Sequence, residues 1–203
     1  LVALLIPVQK AYCTDRGFES CVLGQQILGG HGYVAEWGLE QNVRDARIAQ
    51  IYEGANGIQA LDLMGRKTVR SKGALLEVLF GEMNEFGAEN QSIAELAPYL
   101  ENLSDTQALL SKTTASIIAN CVDNPDEVGA ASYAYMELMG LSLYCYMWNR
   151  VLAAAFKGMA QGTGDSNHLE GLIKTGDFFM ARLLPRAKSL AEEISAGADS
   201  MMA

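Results

Sequence analysis

Clusters of turn-forming residues divide the second part of this sequence into long helical stretches. After Ser71, the chain runs as amphipathic segments separated by FGAENQS, CVDNPDE and QGTGDSNH, whose residue types are typical of turns. Helical periodicity between these clusters predicts helices at about 72–86, 90–100, 104–122, 126–159 and 165–196. No segment shows the alternating polar and apolar pattern of a β-strand, and the chain has only four prolines. The sequence therefore predicts an all-α protein.

The first 70 residues carry three shorter predicted helices, separated by turns that contain glycine. The first helix has Pro7 in its first turn and stops at Gly29 and Gly30. Apolar residues at helical spacing predict a buried stripe along it: Ala11, Phe18, Cys21, Val22 and Leu28. The second and third helices are expected at about 39–48 and 55–66, and the third is expected to bury Ile58, Leu61 and Leu63 or Met64.

The charge, histidine and cysteine contents argue against several kinds of site. The net charge is -9 and no dense cluster of Lys and Arg occurs, so we do not expect nucleic-acid binding. His31 and His168 lie far apart without a Cys or carboxylate at ligand spacing, so we expect no metal site. The four cysteines lack CxxC spacing and are expected to be reduced, mostly buried thiols.

The most apolar long segment, residues 128–149, is predicted to be a buried helix of a bundle rather than a membrane span. It is long enough to cross a bilayer, but it contains four tyrosines and a central charge at Glu137. The chain starts LVALLIPVQK, without an initiator Met or a basic region, so we expect no signal peptide and a cut edge of a longer protein.

A single glutamate stands out between the second and third predicted helices. Glu53 lies between Tyr52 and Gly54 and follows the apolar Ile51. A carboxylate held among apolar groups is a better base near neutral pH, because its charged form is destabilised. An ordinary glutamate in the first turn of a helix, interacting with the helix dipole, explains the same pattern. Residue spacing alone favours this second interpretation.

Three motifs in order, QILGGHGY, RDARIAQIYEG and NGIQALDLMGRK, resemble the C-terminal helical domain of the acyl-CoA dehydrogenases. The resemblance covers residues 1 to about 70, and the remaining helical tail is similar to an extension found in larger bacterial members. It implies a helical bundle at 1–70 with an additional helical extension at 71–203, called the extension below. It also implies a C-terminal fragment of a cytoplasmic, FAD-dependent enzyme.

This resemblance implies a catalytic role for Glu53, which occupies the position of the family's base. The base removes the α-proton of an acyl-CoA while a hydride leaves the β-carbon for the flavin. The N–H of Glu53 and a flavin hydroxyl would bind the thioester carbonyl, and Gly54 would let the substrate approach the main chain. Arg44, Asp45 and Arg47 are expected to form an ion-paired framework that orients this loop.

The same resemblance implies two groups of FAD-binding residues. One group would contact the phosphates or adenosine half of the flavin: Ala55, Asn56 and Gly57. The other would contact FAD held mainly by a neighbouring subunit: Gln26, Gly29 and Gly30. A homodimer or homotetramer is therefore expected. Many relatives have Thr where this chain has Ala55, so one hydroxyl contact would be missing.

Two alternatives to a dehydrogenase stay open at the level of sequence. A dehydrogenase of this family is expected to pass its electrons to an electron-transfer flavoprotein, whereas an acyl-CoA oxidase of the same superfamily passes them to oxygen. The chain could also be a non-catalytic assembly or binding module that has kept the fold. The intact IYEG motif argues against that last alternative.

Overall fold

The computed structural model describes residues 1–201, and these residues form helices and turns without a β-strand. The helices, in chain order, are α1 Val2–Ile27, α2 Gly30–Tyr33, α3 Leu39–Ala49, α4 Asn56–Leu61, α5 Ala74–Asn90, α6 Ala97–Asn120, α7 Glu127–Gln161, α8 Ser166–Phe178 and α9 Arg186–Ser195. Short 3-10 turns lie at Ala35–Trp37 and Ala94–Leu96, and π-helical turns at Asp62–Val69 and Phe179–Leu183. The predicted all-α fold is confirmed.

Helix α7 forms the centre of the bundle. It packs against α1 and α4 from the first part of the chain and against α6, α8 and α9 from the extension. Tyr135, Met136, Leu138 and Met139 are fully buried on it, and each such side chain contributes about 1.5–3 kcal/mol on burial. The expectation that residues 128–149 form a core helix is confirmed. Within residues 1–201, none of the helices has the length and apolarity that a membrane crossing requires.

A glycine on α7 lets α1 approach closely. A Cβ atom built on Gly140 would lie 2.3 Å from the ring of Tyr12, which is itself only 2% exposed. The Tyr12 ring also meets Tyr144 edge to face, with 5.0 Å between the ring centres. Because α1 carries much of the site described below, this contact joins the site to the extension.

Several predicted boundaries in the extension are wrong. Helix α5 continues to Asn90, whose side-chain amide donates to the carbonyl of Phe86 and whose side-chain oxygen accepts from Lys157. The two helices predicted at 90–100 and 104–122 are a short turn followed by one helix, α6. The helix predicted at 165–196 is interrupted at Pro185, which has no backbone N–H to continue the ladder.

The predicted buried stripe of α1 extends along only half of the helix. The helix begins at Val2, so Pro7 lies beyond the first turn. Ala11 is fully buried, but Val22 and Leu28 are 39% and 47% exposed. Ile58 is likewise 59% exposed on α4. No element within residues 1–201 covers these apolar side chains, so helical spacing correctly predicts the helix but not its buried face.

The cysteines also differ from the prediction. All four are free, but only Cys145 is buried, whereas Cys21 and Cys121 are partly buried and Cys13 is exposed. Burial raises the pKa of the Cys145 thiol to about 12. The expectation of mostly buried thiols therefore holds for Cys145 alone. Cys13 and Cys21 lie toward the face of α1 that the described residues do not fully cover, and Cys121 follows the end of α6.

Candidate functional site

The loop between α3 and α4 has an unusual backbone at Glu53. Glu53 has a φ of 55° and Gly54 a φ of 86°, so two successive residues adopt the left-handed region. This conformation costs a residue with a side chain about 1–2 kcal/mol. The Glu53 carbonyl accepts a hydrogen bond from Gln59 Nε2 at 3.2 Å. Gly54 is favoured by its positive φ, because the one close neighbour of an added Cβ, Gln59 Nε2 at 2.8 Å, is the end of a flexible side chain that can shift.

Hydrogen bonds to one carboxylate hold both ends of this loop. Asp15 on α1 accepts from Gln50 Nε2 at 2.6 Å and from Asn56 Nδ2 at 2.7 Å, both at Oδ1. The backbone N–H of Asn56 also donates to the Gln50 carbonyl at 3.1 Å, which closes the loop. The strained segment that carries Glu53 is therefore bracketed by residues 50 and 56, and both are tied to α1.

Asn56 is the most highly connected residue of the site. Its side chain is only 5% exposed, and Nδ2 also lies 3.0 Å from Thr14 Oγ1 and 3.1 Å from the Ala11 carbonyl. Its Oδ1 accepts from Lys10 Nζ at 2.7 Å. The polar atoms of this side chain are thus occupied by α1, and they position α4 relative to that helix.

Asp15 receives a third donor from the extension. The hydroxyl of Tyr133 on α7 donates to Asp15 Oδ2, and Asp15 is only 8% exposed. Tyr133 as a whole is 44% exposed, but partial burial, followed by the hydrogen bond to Asp15, raises the pKa of its hydroxyl above the usual range. Sequence reasoning missed Asp15. Its signal was a carboxylate at helical spacing between Ala11 and Phe18, on the stripe predicted to be buried.

Two family models match this chain; the first match ends within the π-helical turn that follows α4, and the second begins within α5. Residues 3–67 match the acyl-CoA dehydrogenase, C-terminal domain, and residues 79–203 match the model described as acetyl-CoA dehydrogenase C-terminal like. The chain belongs to the acyl-CoA dehydrogenase family. The resemblance inferred from the three motifs is thereby confirmed.

Curated acyl-CoA dehydrogenases resemble the chain over nearly its whole length. The 3-methylmercaptopropionyl-CoA dehydrogenase of Ruegeria pomeroyi is 32% identical over 100% of this chain and 34% of its own length. A broad-specificity linear acyl-CoA dehydrogenase of Mycobacterium tuberculosis is 32% identical over 94% of this chain and 33% of its own length. A butyryl-CoA dehydrogenase of Syntrophomonas wolfei is 26% identical over 91% and 31%, respectively. The chain spans about a third of the length of these relatives.

In this chain, Glu53 is exposed. Ile51 and Tyr52 beside it are 49% and 51% exposed. The apolar surroundings expected for Glu53 are therefore not supplied by the described residues. Within residues 1–201, the backbone N–H groups of Glu53, Gly54, Ala55 and Gly57 have no hydrogen-bond acceptor. The loop thus presents a carboxylate together with several free backbone donors.

The structure separates the two groups of predicted FAD-binding residues. Gln26, Gly29 and Gly30 are exposed at the C-terminal end of α1, where the Gly29 N–H donates to the Gln26 carbonyl at 3.0 Å. The second group starts α4 and contacts α1 near Asp15, eleven residues earlier along that helix. At 1.5 Å per residue, this places the groups about 16 Å apart along α1. The described residues therefore do not bring them into a single pocket.

Ala55 and Gly57 of the second group are exposed, so a bound phosphate could reach their free N–H groups. The exposed residues of both groups fit a flavin contact, whereas the Asn56 side chain is already occupied by α1.

The ion-paired framework predicted for α3 is wrong. Asp45 accepts from the side-chain amide of Gln41 at 2.7 Å, and Arg47 donates to Gln50 Oε1 at 3.0 Å. No salt bridge within residues 1–201 involves Arg44, Asp45 or Arg47. These side chains are exposed, where an ion pair contributes little because water screens it. The loop is instead oriented through Gln50, which contacts both Arg47 and buried Asp15.

Proposed function

We propose that this chain carries the catalytic base of an FAD-dependent acyl-CoA dehydrogenase, which converts an acyl-CoA thioester into the 2-enoyl-CoA. Glu53 accepts the α-proton. The observation that carries the proposal is the loop geometry: a carboxylate on a strained, doubly anchored backbone whose own N–H has no acceptor within residues 1–201. Family membership supports the same reaction class.

The proposed chemistry follows from the position of these groups. The free N–H of Glu53 donates to the thioester carbonyl and stabilises the negative charge that develops there when the α-proton leaves. The carboxylate of the same residue then lies beside the α-carbon and accepts the proton. Gly54 has no side chain to block the approach of the thioester to this backbone.

FAD, when bound, supplies the acceptor for the hydride that leaves the β-carbon. Ala55 and Gly57 would hold a flavin phosphate through their free N–H groups, while Asn56 positions the start of α4. Gln26, Gly29 and Gly30 would contact a second flavin, held by a neighbouring subunit. Family membership supports the homodimer or homotetramer that this arrangement needs.

The 203-residue chain by itself is proposed to be inactive and to bind FAD weakly. Glu53 and its apolar neighbours Ile51 and Tyr52 are exposed, so nothing in the described residues excludes water from the reacting groups. Stoichiometric flavin absorbance that co-purifies with the isolated chain would contradict this part of the proposal.

The test uses the full-length protein, a panel of acyl-CoA substrates and an artificial electron acceptor. Glu53→Gln keeps the side-chain shape and removes the base, so turnover should fall at least the ~10² to 10⁴-fold typical of general-base catalysis. Glu101→Gln, at an exposed position on α6, is the matched control and should retain wild-type turnover. A Glu53→Gln enzyme that keeps its turnover would show that another group is the base.

The identity of the electron acceptor needs a separate measurement. We propose an electron-transfer flavoprotein, as expected of a dehydrogenase. Reduction of added electron-transfer flavoprotein without hydrogen peroxide would support this choice, whereas peroxide formed at the rate of substrate consumption would identify an oxidase.

A further inference from the structure

We propose that Tyr133, on α7 of the extension, is a positioning residue for Glu53 and acts through Asp15. This inference rests on the proposed function of Glu53 as the base. It assigns the extension an indirect part in the reaction, because a side chain from residues 71–203 completes the anchor of the catalytic loop.

The first step of the argument is the arrangement of donors around Asp15. Gln50 and Asn56, at the two ends of the Glu53 loop, both donate to Oδ1. Tyr133 donates to Oδ2 from a position 118 residues away in the sequence. One carboxylate therefore joins α1, the catalytic loop and the extension.

The second step is the charge of this buried group. Asp15 is 8% exposed, and no salt bridge to it is found within residues 1–201. The nearby cations have other partners: Lys10 donates to Asn56, and Arg16 pairs with Glu19 and Glu137. A buried carboxylate without an ion pair depends on its hydrogen-bond donors. Removing the Tyr133 hydroxyl would leave Oδ2 without a donor from the described residues.

The third step connects Asp15 to the geometry of the base. Glu53 is held at a φ of 55°, which persists only when the surrounding contacts enforce it. If Asp15 turns toward solvent to recover a donor, its bonds to Gln50 and Asn56 weaken and the loop relaxes. A displacement of the base by a fraction of an ångström slows proton transfer while leaving substrate binding largely intact.

The experiment compares Tyr133→Phe with Tyr99→Phe in the full-length holoenzyme. Tyr99 is a matched control, since its hydroxyl also donates to a carboxylate, Asp177 Oδ1 at 2.6 Å, but between α6 and α8. Tyr133→Phe should lower kcat about tenfold, which equals about 1.4 kcal/mol, and should change KM much less than kcat. Tyr99→Phe should leave kcat at the wild-type value.

Two readouts separate positioning from a general loss of stability. With acyl-CoA deuterated at the α-carbon, Tyr133→Phe should show a larger isotope effect on kcat than wild type, because proton removal becomes more rate-limiting. Hydrogen exchange should also accelerate in Tyr133→Phe at the hydrogen-bonded amides of this loop, those of Gln50, Ile51, Tyr52 and Asn56, whereas Tyr99→Phe should accelerate it only around its own contact. The exchange measurement does not depend on activity.

A double-mutant cycle tests whether the effect passes through Asp15. In an Asp15→Ala background, Tyr133→Phe should lower kcat no further, because the shared carboxylate is already absent. Equal effects in the two backgrounds would overturn the proposed route. A Tyr133→Phe enzyme with wild-type kcat, isotope effect and loop exchange would overturn the inference itself. Full activity of Glu53→Gln would instead overturn the proposed function, so the two failures are distinguishable.

Discussion

Replacing Asn56 by alanine should destabilise the chain more than replacing Asn90, which is also buried and also bonded to a lysine. Asn56 is 5% exposed and bonds to a buried carboxylate, a lysine, a carbonyl and a hydroxyl of α1. Asn90 is 4% exposed and bonds to Lys157 and to the Phe86 carbonyl, without a carboxylate. The pair therefore matches in burial and in its lysine contact, and differs in the link to Asp15.

The expected size of the effect follows from these bonds. Hydrogen bonds to charged groups contribute about 1.5–3 kcal/mol and neutral ones about 1 kcal/mol. After Asn56→Ala, Asp15 keeps Gln50 and Tyr133 as donors, and partly buried Lys10 can turn toward water. These compensations reduce the net loss to about 2–4 kcal/mol. Asn90→Ala should cost about 1–2 kcal/mol less.

Urea unfolding of the 203-residue chain, followed by helical circular dichroism, measures both variants. With a denaturant slope of about 2 kcal/mol per molar, Asn56→Ala should lower the midpoint by about 1–2 M. Asn90→Ala should lower it by less, at an unchanged slope. An Asn56→Ala midpoint equal to or above that of Asn90→Ala would refute the role assigned to the Asp15 contact.

Two further variants test packing and charge. Gly140→Ala places a methyl 2.3 Å from the Tyr12 ring and should destabilise the chain by about 1–3 kcal/mol. Gly129→Ala on the same helix meets no atom within 4 Å and should stabilise the chain slightly. Thermal unfolding measures both variants, and equal shifts of their melting temperatures would contradict the close packing at Gly140. Burial raises the pKa of Glu137, and the charge of Arg16 partly opposes this shift. The protonated Glu137 side chain therefore contributes stability at low pH, and this contribution is lost as pH rises through the pKa that Glu137 has in the folded state. The stability of Glu137→Gln relative to wild type should therefore increase as pH rises above the ordinary Glu pKa of 4.5 in urea unfolding, and a difference that does not change with pH would exclude this effect.

Helix ends were predicted correctly from the sequence where residues close to the end determine it, and wrongly where a distant contact does. The CVDNPDE cluster predicts a helix that starts at about 126, and the Asn124 side chain does accept the N–H of Asp126 next to the observed start at Glu127. Asn90 looked like part of a turn, but its bond to Lys157 of α7 keeps it in a helix. The residues around Asn90 in the sequence do not indicate this contact, because the lysine lies 67 residues away.

In the candidate site, too, the sequence predicted the residues with local signals and missed those that act through distant contacts. The motifs locate Glu53, Gly54 and the glycines that end α1, because these residues are close in sequence and their backbone demands are local. Asp15 and Tyr133 escaped notice, since an isolated Asp and one of many tyrosines carry no distinctive local pattern. Asn56 was assigned to the flavin, whereas the structure shows that its side chain binds α1.

The sequence by itself determined that this chain is helical, that it resembles the acyl-CoA dehydrogenases and that Glu53 is the candidate base. Residue periodicity and short motifs carry that information within one or two helical turns. Only the tertiary structure decided which faces are buried and which groups hold the base, because Asn56 and Tyr133 reach Asp15 across 41 and 118 residues. Such contacts arise when helices pack, and they depend on the three-dimensional approach of α1, α4 and α7 rather than on any local pattern.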